Sequence, residues 1–261
     1  MMAIRCVTLL VLGISEFVAI CGASANDIPL DKRLSAYDGM SRETRAMQDD
    51  DTSNPATLWV LDGETLWNTK AGAAQKSCAD CHQNIAGMKG VAARYPAFDA
   101  AQGKAIDLEG RINLCRSENQ KASPFPFESR ELLALTAAIA RQSRGMPIAP
   151  EETKMALTIE TGRAFYQQRQ GQLNLSCAQC HDDNWDRKLA GSAVTQGHPS
   201  GYPIYRLEWQ SLGSLQRRLR NCMFGMRAEP YAFESPEFIA LEAFLMYRAR
   251  GMKFEAPAVR P

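Results

Sequence analysis

Cys78-Ala79-Asp80-Cys81-His82 and Cys177-Ala178-Gln179-Cys180-His181 are two copies of one pattern, Cys-x-x-Cys-His. This spacing attaches c-type haem. Two intervening residues let both thiols reach two pyrrole edges from a single turn, and the next residue, His, then reaches the iron. The chain has three histidines, and two of them complete these pentapeptides. The competing reading is a pair of redox or zinc Cys-x-x-Cys sites, against which the doubled motif weighs. Cys78 and Cys81 are therefore expected to hold one haem with His82 as its proximal ligand. Cys177, Cys180 and His181 are expected to hold a second in the same way.

The N-terminus agrees with haem attachment outside the cytoplasm. Arg5 precedes an apolar stretch from Thr8 to Ile20, and Ala23-Ser24-Ala25 fits a small-x-small cleavage site. The stretch is too short to span a bilayer and contains Glu16. Residues 1–25 thus read as a signal peptide, which predicts a periplasmic protein with no membrane span. Its removal takes away Cys6 and Cys21. Four of the remaining cysteines belong to the haem motifs, which leaves Cys115 and Cys222. The net charge of +1 gives no global attraction to nucleic acid.

Outward from the two motifs the chain repeats itself. Gly63-Glu64-Thr65-Leu66-Trp67 and Gly162-Arg163-Ala164-Phe165-Tyr166 stand at the same distance before them. Arg111-Ile112-Asn113-Leu114-Cys115 answers Arg218-Leu219-Arg220-Asn221-Cys222. Pro124-Phe125-Pro126-Phe127-Glu128-Ser129 answers Pro230-Tyr231-Ala232-Phe233-Glu234-Ser235. Arg144-Gly145-Met146 answers Arg250-Gly251-Met252.

The spacing of apolar residues predicts helices near 57–70, 130–144, 153–170 and 236–249. Ser129 and Ser235 suit N-caps, Pro236 suits the first helical position, and Gly145 and Gly251 suit C-terminal stops. No stretch alternates as a sheet strand should. The expected fold is mainly α, a tandem duplication of two cytochrome c-like domains, each with a covalently bound haem. The first would occupy residues 57–150 and the second 151–261, with a linker around Pro147 to Pro150. Residues 26–56 read as an N-terminal extension that wraps the body or a partner.

Three sets of residues compete for the distal side of the irons. His198 could serve one haem at most and reads as a surface-loop histidine. Met146 and Met252 recur, but they follow the last helix of each repeat, where they suit packing of the helix ends. Cys115 and Cys222 recur and precede that helix, as a distal ligand should. Their alternative use is a disulfide between the halves, which an oxidising compartment permits. Thiolate ligation would stabilise ferric iron, lower the potential and leave no open coordination position.

The two cysteines differ in their surroundings. Arg206, Arg217, Arg218, Arg220 and Arg227 near Cys222 meet one acid, Glu208. Near Cys115, Lys104, Arg111, Arg116 and Lys121 meet Asp107, Glu109 and Glu118. Arginine clusters recognise oxyanions, and positive charge favours thiolate. On a helix, Arg218 and Cys222 would share one face. A small sulfur oxyanion would fit there; a solvated basic face or docking patch is the plainer reading. Arg217 and Arg220 read as surface or steering charges.

With its two haem motifs, each followed by a distal cysteine, and Arg218-x-x-x-Cys222 ahead of Pro-Tyr-Ala-Phe-Glu-Ser, the mature chain resembles the SoxA family. That family supplies the dihaem subunit of the SoxAX cytochrome complex of bacterial thiosulfate oxidation. The resemblance implies an L-cysteine S-thiosulfotransferase that couples thiosulfate to a cysteine of the carrier SoxYZ, with electrons passing to c-type cytochrome. It implies a SoxX partner, axial pairs His82/Cys115 and His181/Cys222, Cys222 as the catalytic sulfur carrying a persulfide or thiosulfate adduct, and Arg218 as the substrate-binding residue. The rivals are a dihaem electron-transfer cytochrome with methionine distal ligands and a dihaem peroxidase. Neither accounts for the arginine excess around Cys222.

Overall fold

A computed structural model describes residues 27–189 and 191–261; the predicted signal peptide lies outside them. The helices are α1 (Arg42–Asp49), α2 (Thr57–Asn68), α3 (Ala79–His82), α4 (Leu108–Cys115), α5 (Arg130–Arg141), α6 (Glu152–Gln167), α7 (Cys177–His181), α8 (Leu215–Gly225) and α9 (Pro236–Arg248). They fall into two matched series, α2 to α5 and α6 to α9. In each, the first helix crosses the last, the motif sits on a short helix after the first, and the repeat cysteine lies in the last turn of the third.

The crossing is close because it is built on glycine. A Cβ on Gly63 would stand 2.1 Å from the Ala134 carbonyl oxygen, and one on Gly162 would stand 1.9 Å from that of Ala240. Only a residue without a side chain lets the backbones of α2 and α5, or of α6 and α9, approach so nearly. Around the crossings lie Leu132 and Leu135 in the first half and Phe238, Leu241 and Phe244 in the second, all 2% exposed or less. Each fully buried large apolar side chain contributes about 1.5–3 kcal/mol. The helix starts follow the predicted chemistry: Ser129 Oγ accepts from Leu132 N and Ser235 Oγ from Phe238 N, both at 3.3 Å.

The fold also contains short β pairs. β1 (Ala97–Asp99) pairs antiparallel with β2 (Lys104–Ile106), and β3 (Lys188–Leu189) with β4 (Ser192–Ala193). β5 (Ile204–Arg206) lies between antiparallel β6 (Ser211–Gly213) and parallel β7 (Ala258–Arg260). The sequence reading expected no sheet. Strands of two or three residues are too short to show alternation.

The repeats meet along a seam whose hydrogen bonds come in matched pairs. Gly145 N donates to Phe254 O (2.7 Å) and Gly251 N to Ile148 O (2.8 Å). Ile148 N donates to Met252 O (2.9 Å) and Phe254 N to Met146 O (2.8 Å). Each bond is the image of its partner under exchange of the repeats. Phe127 and Phe233 meet on the same axis.

The extension 27–56 wraps the body. Gln196 Oε1 accepts from Leu34 N at 2.8 Å, and its Nε2 donates to Lys32 O at 3.2 Å. Buried Gln48 accepts from Val259 N at 3.1 Å and from Arg260. Asp51 pairs with Arg144 at 2.9 Å and with Arg141. The strap thus touches the loop after the second motif, the last strand and the end of α5.

Candidate functional site

Each haem motif is presented by a local capping box. In the second half, Ser176 Oγ accepts from Gln179 N while Gln179 Oε1 accepts from Ser176 N (3.3 and 3.0 Å). In the first, Ser77 and Asp80 exchange the same two bonds at 3.1 and 2.8 Å. The second residue between the cysteines therefore fixes the turn that carries them. The first helix then grips the residue after the histidine. Trp67 Nε1 donates to Gln83 O at 3.0 Å, and Tyr166 Oη donates to Asp182 Oδ1 at 2.8 Å.

The loop ahead of each motif is folded against the end of the cysteine helix. Gly72 and Gly171 have φ of +65° and +68°, and a Cβ on them would meet Gln120 O at 2.1 Å and Met226 O at 2.3 Å. Left-handed backbone and contact with another main chain together require glycine. This packing brings motif and repeat cysteine into one site in each half.

In the second site His181 Nδ1 donates to Thr195 O at 2.6 Å. That bond fixes the ring, and the side chain also hydrogen-bonds Cys222. Arg218 and Cys222 lie one turn apart on α8, so the predicted helical face exists. Burial opposes ionisation of the Cys222 thiol. The hydrogen bond to His181 and the charges of Arg218, His181 and Arg206 outweigh it, so its pKa falls below the ordinary thiol value. Burial pushes the Cys177 thiol up to about 12 and also raises Cys180, each further raised by Cys222. Tyr202 faces Arg218 and Cys222, and burial lifts its phenol to about 12.

The first site has the same parts with a different balance. Burial raises the Cys115 pKa, and the nearby Arg111 offsets this only partly. Arg111, the counterpart of Arg218, is ion-paired to Asp99, which is 3% exposed. Arg218 has no carboxylate partner among the described residues. The two guanidiniums are thus unequal: one is neutralised, the other remains available to an anion. Asp99 and Thr195 were not singled out in the sequence. Nothing local marks either, since Thr195 acts through its main chain and Asp99 lies on a neighbouring strand.

Cys115 and Cys222 are not joined by a disulfide; all six cysteines of the described residues are free. Met146 and Met252 lie in the seam between the repeats. His198 is not a surface-loop residue: it is 8% exposed, and its Nδ1 donates to Leu34 O at 3.0 Å, beneath the N-terminal strap. Of the other arginines, Arg217 lies over the Trp209 ring, Arg220 donates to Tyr231 O, and Arg206 pairs with Glu208 at 2.8 Å.

The SoxA/TsdA cytochrome c domain model matches residues 62–148 and again 161–254. The L-cysteine S-thiosulfotransferase subunit SoxA of Pseudaminobacter salicylatoxidans is 40% identical over 236 residues, covering 89% of this chain and 82% of the relative. The chain belongs to the SoxA family. The SoxA subunit of Paracoccus pantotrophus is 34% identical across 83% of this chain and 75% of its own length. The crystal structure of SoxXA from P. pantotrophus superimposes with a TM-score of 0.85 at 33% identity, covering 88% of this chain and 87% of that one. The mainly α tandem duplication of cytochrome c domains is thus the SoxA fold, with two covalently bound haem c groups. The donor sets fit them: each half offers two thiols on one turn, an adjacent histidine and a further cysteine. Among the described residues no helix is long and apolar enough to cross a membrane.

Proposed function

We propose that this chain is the SoxA subunit of an L-cysteine S-thiosulfotransferase, acting as a heterodimer with SoxX. It couples thiosulfate oxidatively to a cysteine of SoxYZ, and the electrons pass to a c-type cytochrome. Residues 1–25 direct it to the periplasm and are removed. Residues 57–150 form the domain of haem 1 and residues 151–261 the domain of haem 2, which holds the active site; residues 26–56 form an extension that, over its described residues 27–56, clasps both.

Cys78 and Cys81 would attach haem 1, with His82 and Cys115 as its iron ligands. Cys177 and Cys180 would attach haem 2, with His181 and Cys222 as its iron ligands. The Thr195 carbonyl holds the His181 ring by Nδ1, and the iron would take the other nitrogen in place of its contact with Cys222. When bound, the haem of the second half would supply a one-electron acceptor beside the reacting sulfur, and the two electrons would leave in successive single steps to the c-type cytochrome.

Arg218 binds thiosulfate, and its positive charge helps keep Cys222 as thiolate. The Cys222 sulfur and the sulfane sulfur of thiosulfate form an S–S bond with loss of two electrons, giving Cys222-S–S–SO₃⁻. The carrier thiolate then attacks that sulfane sulfur. It takes the S–SO₃⁻ group and releases the Cys222 thiolate.

The observation that carries this reading is the placement of Cys222 beside both His181 and Arg218, an arginine without a carboxylate partner among the described residues. Cys222→Ser should abolish conjugation of thiosulfate to the carrier, whereas Cys115→Ser should mainly alter the spectrum of haem 1. Equal loss from both would overturn the division between the halves.

A further inference from the structure

We propose that Glu128 of the first repeat is a positioning residue for the Arg218–Cys222 site of the second, an inference that rests on the reading of that site given above. Glu128 Oε1 accepts from Ser214 N at 3.1 Å. Ser214 is the N-cap of α8: its Oγ accepts from Arg217 N at 3.1 Å and its carbonyl from Arg218 N at 3.4 Å. The carboxylate therefore grips the residue on which α8 begins, one turn before Arg218 and two before Cys222. Negative charge at that end also complements the helix dipole.

The second carboxylate oxygen, Oε2, is buried without a hydrogen-bond partner and lies 3.8 Å from Arg217 Nη1. Arg217 is held besides by Ser211 Oγ at 3.3 Å and by the Trp209 ring, 4.3 Å away. Arg217 is thereby engaged outside the thiol site, and Arg218 alone of the pair meets Cys222. A further bond crosses the seam within the first turn of α8: Gln216 Nε2 donates to Asp107 Oδ2 at 2.9 Å, while its Oε1 accepts from Glu234 N at 2.8 Å. The start of the cysteine helix is thus anchored from the opposite repeat.

The backbone of Glu128 points the same way. Its φ is +64°, in the region that favours glycine, and its repeat counterpart Glu234 has φ +59°. A non-glycine residue held there is strained. Glycine would relieve that strain and lose the carboxylate. The strain is stored where the side chain reaches the other half.

The test uses the assembled, haem-loaded complex carrying Glu128→Ala or Glu128→Gln. Glu128→Ala should raise KM for thiosulfate about tenfold, with a smaller effect on kcat. It should also broaden or split the low-spin ferric EPR signal of haem 2, leave that of haem 1 unchanged, and speed amide exchange over residues 214–218. Glu128→Gln keeps an acceptor for Ser214 N and should bring KM back to within about threefold of the parent. Unchanged KM, haem 2 signal and exchange in Glu128→Ala would overturn the proposal. So would lowered stability with unchanged KM, or a Gln variant no better than Ala. If Glu128→Ala fails to assemble, Glu128→Asp carries the same comparison with a shortened reach. Arg218→Ala with unchanged KM would instead refute the reading of the site, and the EPR and exchange measurements would still decide the role of Glu128.

Discussion

Phe127 and Phe233, which hold the same place in the two repeats, stack with ring centroids 4.7 Å apart and planes inclined by 20°. The pair sits on the local axis of the seam, and each ring precedes a glutamate of left-handed backbone. Replacing both by Ala in a double-mutant cycle should give a coupling of about 1 kcal/mol. The readout is denaturant unfolding of the two single variants and the double. A coupling near zero would show that the rings touch without holding the halves together.

Gly63→Ala and Gly162→Ala should each destabilise by about 3 kcal/mol or more, because the new methyl meets a main-chain carbonyl that cannot rotate away. Ala is the better helix former, so propensity alone predicts the opposite sign. Thermal or urea unfolding decides between them.

The unequal arginines predict unequal phenotypes. Arg218→Ala should raise KM for thiosulfate, since no carboxylate neutralises that side chain. Arg111→Ala should leave thiosulfate kinetics near the parent but lower stability, because Asp99 loses its ion pair and keeps only its bonds from Ala101 N and Gln102 N. Steady-state kinetics and unfolding of the same two proteins separate the effects.

Carboxyls crowd the seam around the Gln216 bridge. Burial raises the Asp107 carboxyl to about 7, with Glu234 adding to the shift. Burial, then Asp107, raises Glu109, with Glu128 and Glu234 contributing. Burial, then Asp107 and Glu109, raises Glu242. A carboxyl whose folded pKa exceeds its unfolded value binds more protons when folded, so stability falls as pH rises between the two values. For this cluster that window opens near the ordinary carboxyl value of about 4 and extends through about 7 for Asp107. Glu242→Gln removes one ionisation and should flatten the decline, raising Tm more at pH 8 than at pH 5. Parallel Tm profiles for variant and parent would contradict it.

Much of this was legible because it is local. The pentapeptides, the doubled series around them, the serine caps and the four-residue step from Arg218 to Cys222 are short patterns whose chemistry follows from spacing. What escaped depends on partners far along the chain. Arg-Gly-Met was visible as a repeat, yet only the fold shows Gly145 and Gly251 exchanging matched bonds across the seam. His198 looked like a solvated loop residue because the carbonyl covering it belongs to Leu34. Asp99 carries no motif, although it makes Arg111 unlike Arg218. The sheets were missed because no strand is long enough to alternate.

The matched seam has a consequence for how the two copies can diverge. Each contact on it recurs with the two copies exchanged, as in an isologous contact between identical subunits. A change arising in one copy there is confronted by the unchanged original, so the seam resists one-sided innovation. Away from the axis no such mirror operates. There one copy could settle its arginine on an aspartate while the other left its arginine without a carboxylate among the described residues.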